Sequence, residues 1–270
     1  MSGEPVPAAA DGGTAFYVYG IVSAATDPAA VAGVTGVAGG PVEVVAAPAA
    51  AALASVVSLD EFGEEPLRGN LNDRAWLERT ARAHDAVLER ALEQTPVIPF
   101  RLGTIYRGRD QLVDLLSERG ASFAALLDRL DGTVELGVKA YLDQSRLLEP
   151  TGAGPAAPAQ SGREYMLRRK QERDVAAESA QVADECARAS HECLVAAALA
   201  ARANPPQSPE LSGRTDQMVL NGAYLVLRGD HALDAAVAKL EEEYGPRGIS
   251  YEVTGPWPPY NFVPSELAES

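Results

Sequence analysis

Gly255-Pro256-Trp257-Pro258-Pro259-Tyr260-Asn261-Phe262-Val263 is the stretch from which the chain is best read. Its three prolines fix φ near −65° and withhold three backbone N–H donors, so it can form neither a helix nor a central strand. The segment is expected to be a stiff, extended strap. Only 6% of the chain is aromatic, yet Trp257, Tyr260 and Phe262 fall within this one strap. Two readings follow. Either the rings seal the core of the last domain, as large aromatics commonly do, or they form an exposed, preorganised edge for a partner.

Working back from the strap, Ile249, Tyr251 and Val253 alternate as a final strand. Before it, Asp230 caps a helix with Leu233, Ala236, Val237 and Leu240 on one face, ended by Gly245-Pro246. Met218–Arg228 reads as a strand kinked at Asn221-Gly222, and the proline-rich 202–214 breaks the pattern ahead of it. A long helix is expected over about Arg163–Ala201. Val175, Ser179, Val182, Cys186, Ala189, Cys193, Ala196 and Ala200 recur in steps of four and three, a heptad seam of small residues suited to coiled-coil-like packing. Pro150–Gly162 reads as a linker, and Thr133–Leu142 as a clean half-buried strand with Val134, Leu136, Val138, Ala140 and Leu142 on one face.

The first half starts with residues 1–13, poor in groups to bury and expected to be disordered. Phe16–Val22 suits a strand buried on both faces, followed by strands at Val42–Ala46 and Leu53–Leu59 and a turn-rich loop from Asp60 to Asn70. Asn72 or Asp73 caps a helix with Leu77, Ala81, His84, Leu88 and Leu92 on its apolar stripe. Val97–Phe100 reads as a short strand. Two short amphipathic helices follow, with Gly120 and Gly132 at their C-caps. The pattern predicts an α+β protein of two modified ferredoxin-like domains, residues 14–105 with helices on one face of the sheet, and 106–263 with the long coiled-coil-like helix, plus a tail at 264–270.

Composition narrows the function. A formal charge of −15 argues against nucleic acid or an anionic membrane as the partner. The longest apolar run, Val44–Val57, is broken by Pro48 and too short to span a bilayer, and no basic region followed by an apolar core opens the chain. A soluble, cytoplasmic protein is expected. Cys186 and Cys193 are seven residues apart on one helix, about 10 Å along its axis, too far for a disulfide.

Catalytic signals are absent from the pattern. His84 lies on an apolar stripe as a core residue would, His191 falls off the seam and is expected to be solvated, and His231 sits in a first helical turn. Cys186, His191 and Cys193 project around half a turn of one helix and do not converge on an ion. Gly103–Gly108 has the glycine spacing of a phosphate loop, but Arg109-Asp110 replaces the Lys-Ser/Thr that must follow. No catalytic residue, metal or cofactor is expected. One basic cluster, Arg101, Arg107 and Arg109 around the Gly103 turn, stands out; it can pair with acids such as Asp110 or the 60–65 loop, or receive an acidic residue of a partner.

Four stretches carry a resemblance. The terminal nonamer, Phe16-Tyr17-Val18-Tyr19-Gly20-Ile21-Val22, Val97-Ile98-Pro99-Phe100-Arg101-Leu102-Gly103-Thr104 and Gly132–Leu142 resemble, in order, the GvpF and GvpL accessory proteins of gas vesicles. The resemblance implies a non-catalytic assembly protein, associated with the gas vesicle, that binds the main shell protein and other accessory proteins. It points to Arg101, Gly103, Thr104 and Arg107, and to Trp257, Pro258, Pro259, Tyr260, Asn261 and Phe262, as partner-binding or fold-sealing residues. A ligand sensor or enzyme on paired ferredoxin-like domains is the competing class; it needs a cavity with convergent polar groups. A self-assembling structural component is a third, disfavoured by the high charge.

Overall fold

The computed structural model describes residues 13–143, 162–208, 214 and 216–268. The expected linker, the first twelve residues, the end of the tail, residues 209–213 of the 202–214 breaker and the Val175 seam position lie outside what it describes. The chain divides into two compact units, Met1–Thr133 with Pro258–Ser270, and Val134–Trp257. The expected boundary at 105/106 falls inside the first unit, because the helix that follows it packs on that unit's own sheet.

The first unit is built on β1 (Thr14–Ser23), with β2 (Glu43–Ala46), β3 (Ala50–Ser58), β4 (Ile98–Pro99) and β5 (Ile105–Tyr106). Strand order is β2-β3-β1-β4, with β5 also on β1, and β1 pairs β3 antiparallel from Thr14↔Ser58 to Ser23↔Ala50. Tyr17 and Tyr19 face His84 on α3 (Arg74–Leu92), with ring centroids 5.7 and 5.6 Å from the imidazole. Between them Val18 points to the other face and is also fully buried. α4 (Arg109–Leu130) covers that face, running over β3 and β1. Helices therefore lie on both faces of this sheet, not one.

α4 replaces the two short helices expected from the sequence. Gly120 is inside it rather than at a cap, and a Cβ there would lie 2.9 Å from the Ala49 Cβ. The glycine serves close helix–sheet approach. Gly120→Val is expected to lower stability by about 1–3 kcal/mol through overpacking; a urea midpoint equal to wild type would show that α4 shifts freely. The 60–70 loop is also a correction. It forms α1 (Leu59–Phe62), capped by the Ser58 hydroxyl, and α2 (Glu64–Asn70). Asp73 caps α3 through Ala75 and Trp76, as its position before the apolar stripe leads one to expect.

The second unit holds β6 (Thr133–Leu142), α5 (Gly162–Ala196), β7 (Ala200–Ala203), β8 (Gln217–Leu227), α6 (Ala232–Tyr244) and β9 (Ile249–Trp257), with strand order β7-β8-β6-β9. β6 has both faces covered: Glu135 and Tyr141, on its expected polar face, are buried, and the Arg214 guanidinium stacks 4.1 Å from the Tyr141 ring centre. α5 stops five residues short of its expected end because Leu199–Ala203 turn into a strand paired with β8. Its seam runs true through Ser179, Val182 and Cys186, and then Ser190 and Leu194 are the buried positions while Ala196 is exposed. That drift is what a straight 3.6-residue helix lying on β8 does to a 3.5-residue repeat. The Cys186 thiol sits 3.3 Å from Tyr251 Oη and 3.5 Å from Ser190 Oγ, and both cysteines are free. His191 is half-buried against Tyr224 Oη at 3.0 Å, not solvated as its off-seam position suggested.

Candidate functional site

The arginine cluster centres on a tight turn. Thr104 N–H and its hydroxyl both donate to the Arg101 carbonyl, at 3.3 and 2.8 Å, and Gly103 takes φ +83°, a conformation that position of the turn demands of glycine. The turn is fastened to β1 from two sides. Val18 N–H donates to the Thr104 carbonyl at 2.9 Å, and Gly103 N–H donates to Tyr17 Oη at 3.2 Å.

Tyr17 passes this contact inward. Its oxygen accepts from Gly103 and shares a hydrogen bond with His84 Nδ1, 2.9 Å away. Burial pushes the His84 pKa down to about 4, with a backbone contact at Phe100 partly opposing, and burial also drives the Tyr17 phenol upward. The buried hub is neutral at physiological pH. Phe62 stacks edge-on against Tyr17 at 5.8 Å and leans on Trp76 at 5.5 Å, while Trp76 Nε1 donates to Glu61 at 2.7 Å. These contacts pin α1 and α2 opposite the turn.

Between them lies a cleft of about 540 Å³. Leu59, Glu64 and Leu67 form one wall and Arg101, Leu102, Thr104 and Ile105 the other, with Arg107 on the rim. A Cβ at Gly103 would meet Leu67 at an ordinary contact distance of 3.5 Å, so it is the positive φ of the turn, not space, that calls for glycine. Four sequence-derived candidates, Arg101, Gly103, Thr104 and Arg107, are thus brought together. Arg109 is not with them; it pairs with Glu43 at 2.9 Å on β2. The α1–α2 wall escaped the sequence reading, though Ser58 ahead of Asp60-Glu61 and the Glu64/Arg68 spacing were usable helix signals.

The strap lies elsewhere. Gly255, Pro256 and Trp257 finish β9, an edge strand where proline's missing N–H is harmless, with Trp257 opposite Glu135 and the Gly255–Pro256 peptide cis. In the first unit Pro258, Pro259 and Val263 are buried, and Tyr260–Phe262 make a 3-10 turn. Tyr260 Oη donates to Asp85 at 3.3 Å, beside a carboxyl whose pKa burial raises. Trp257 and Tyr260 are each 37% exposed and Phe262 and Asn261 half-buried, so the prolines and valine, not the rings, do the sealing. Trp257→Ala is therefore expected to cost about 1–2 kcal/mol, short of the roughly 3–5 kcal/mol of a fully buried aromatic; thermal melts of the two proteins measure it.

Among the described residues, no group of three or more His, Cys, Asp or Glu side chains is placed to hold a metal ion, and no helix is long and apolar enough to cross a membrane. The cleft offers cations and apolar surface for binding, with no nucleophile–base pair among its lining residues.

Comparison with known proteins places these observations. The family described as "Gas vesicle synthesis protein GvpL/GvpF" matches residues 15–264. Gas vesicle protein L of a Streptomyces species is 38% identical over 214 residues, covering 78% of this chain and 79% of that protein. Gas vesicle protein F of the same source is 31% identical over 195 residues, covering 68% and 77%. The crystal structure of the Anabaena gas vesicle protein GvpF shares the fold, with a TM-score of 0.67 at 16% identity over 93% of this chain and 96% of that one.

Proposed function

The chain belongs to the gas vesicle synthesis protein GvpL/GvpF family, and on that premise we propose that it is a non-catalytic assembly factor that binds the main gas vesicle shell protein and other accessory proteins. Family membership implies a role in gas vesicle formation; the match over residues 15–264 is the observation that carries it. The binding role is supported by chemistry. An apolar, self-assembling client needs a soluble binder, and a charge of −15 keeps such complexes from associating indiscriminately.

Two surfaces are proposed to serve it: the Arg101–Arg107 cleft, and the half-exposed strap rings Trp257, Tyr260 and Phe262. Both sheets run in the order second-third-first-fourth strand, which supports reading the two units as modified ferredoxin-like domains. The charge and the lack of a membrane-crossing helix among the described residues agree with a cytoplasmic protein that associates with the vesicle.

In-frame deletion in a vesicle-forming host tests the role. Loss of buoyancy and of vesicles by electron microscopy, restored by the wild-type gene, is the expected result. Normal vesicles in the deletion strain would refute it.

A further inference from the structure

The cleft carries an inference about the chemistry of what it holds. We propose that it takes an extended segment of a partner polypeptide in which a carboxylate side chain lies beside apolar ones; this rests on the reading of the chain as a protein-binding assembly factor. Three observations lead there. The volume, about 540 Å³, is within the ~300–1,000 Å³ range of sites that enclose a ligand. Its surface is divided between apolar side chains (Leu59, Phe62, Leu67) and the exposed guanidinium-bearing Arg101 and Arg107. Its second wall reaches the border of a sheet at Ile105, which opens β5: β4 and β5 both pair with β1, and no further strand lies beyond them among the described residues.

An extended backbone runs naturally along such a border, and its alternate side chains then point the same way, one set into the cleft. The apolar wall buries leucine-like groups. The planar guanidinium groups suit a carboxylate, which they bind through paired N–H donors. Glu64, on the first wall, is engaged by Arg68 at 3.2 Å on its own helix. The net charge sharpens the argument. A chain at −15 repels an acidic peptide at long range, so any preference for carboxylates must come from a local arrangement like this one.

The test uses the purified full-length chain and two dye-labelled, acetylated hexapeptides, Leu-Ser-Glu-Ser-Leu-Ser and Leu-Ser-Gln-Ser-Leu-Ser, in fluorescence polarisation. The glutamate peptide is expected to bind about tenfold tighter, and Arg107→Gln to reduce that preference to about twofold or less. Leu67→Gln weakens both peptides alike, whereas Arg82→Gln, on the exposed face of α3, changes neither. Equal binding of the two peptides, no binding of either, or a preference that survives Arg107→Gln overturns the proposal. The outcome separates from the assembly role. Lost preference with vesicles still abolished by deletion removes the cleft and leaves the role, while sound binding with normal vesicles in the deletion strain does the reverse.

Discussion

Tyr17→Phe is expected to be far more damaging than the loss of one hydroxyl suggests. That oxygen satisfies two groups at once, the Gly103 N–H at 3.2 Å and His84 Nδ1 at 2.9 Å, in a core where Tyr17 and His84 are almost wholly inaccessible. Removing it leaves both without a partner, and a buried unsatisfied donor or acceptor costs about 1–3 kcal/mol. A total loss of about 2–4 kcal/mol follows, a large part of a typical domain's stability. The ring contacts to Tyr19, Phe62 and His84 remain, so the effect isolates the hydrogen bonds. Urea denaturation measures the loss, and hydrogen exchange locates it: the Gly103 amide should exchange faster than in wild type, with β6 amides in the other unit unchanged. A stability within 0.5 kcal/mol of wild type, about the scatter of neutral surface substitutions, would show that the turn does not depend on Tyr17.

The second large effect is a pH dependence. His84 is buried neutral with its pKa pushed down from 6.5 to about 4. The folded protein refuses a proton that the unfolded chain accepts, so this group's contribution is complete above pH 6.5 and drains away as the pH falls from 6.5 toward 4. At about 1.4 kcal/mol per pH unit across that gap, His84 alone removes about 3 kcal/mol by pH 4. Asp85 and Glu89, whose carboxyls burial shifts upward, act with the opposite sign. The comparison with His84→Gln cancels them, since glutamine can still hydrogen-bond the Tyr17 hydroxyl but does not titrate. Stability curves between pH 7.5 and 4 should fall more steeply for wild type than for the variant. Parallel curves would contradict the assigned state of His84.

These residues also show what the sequence could disclose. β1, β6 and the His84 helix were legible because each carries its own periodicity and, for α3, its own cap. The arginine half of the cleft was legible because Arg101, Gly103, Thr104 and Arg107 are neighbours in the chain. Its other half comes from Leu59, Phe62 and Leu67, about forty residues earlier, in helices so short and so rich in Gly, Pro and acids that they look like a loop. Gly120 illustrates a different limit. A glycine between two apolar stripes reads as a helix end, and only Ala49, seventy residues away, explains why it is a contact point instead. Along α5 the small-residue repeat located the helix, but its burial depends on the sheet beneath, which a heptad pattern does not encode. The strap is extended as expected only over Gly255–Trp257, on the edge strand β9; Tyr260–Phe262 wind into a 3-10 turn, and Pro258 and Pro259, not the rings, are the buried part.

The most direct test of the assembly role is co-expression of the full-length chain with the main gas vesicle shell polypeptide, followed by affinity capture and size-exclusion chromatography. The account predicts one soluble peak containing both polypeptides, which Arg101→Glu combined with Arg107→Glu disperses while leaving this chain folded. A shell polypeptide that aggregates while this chain elutes alone would contradict it.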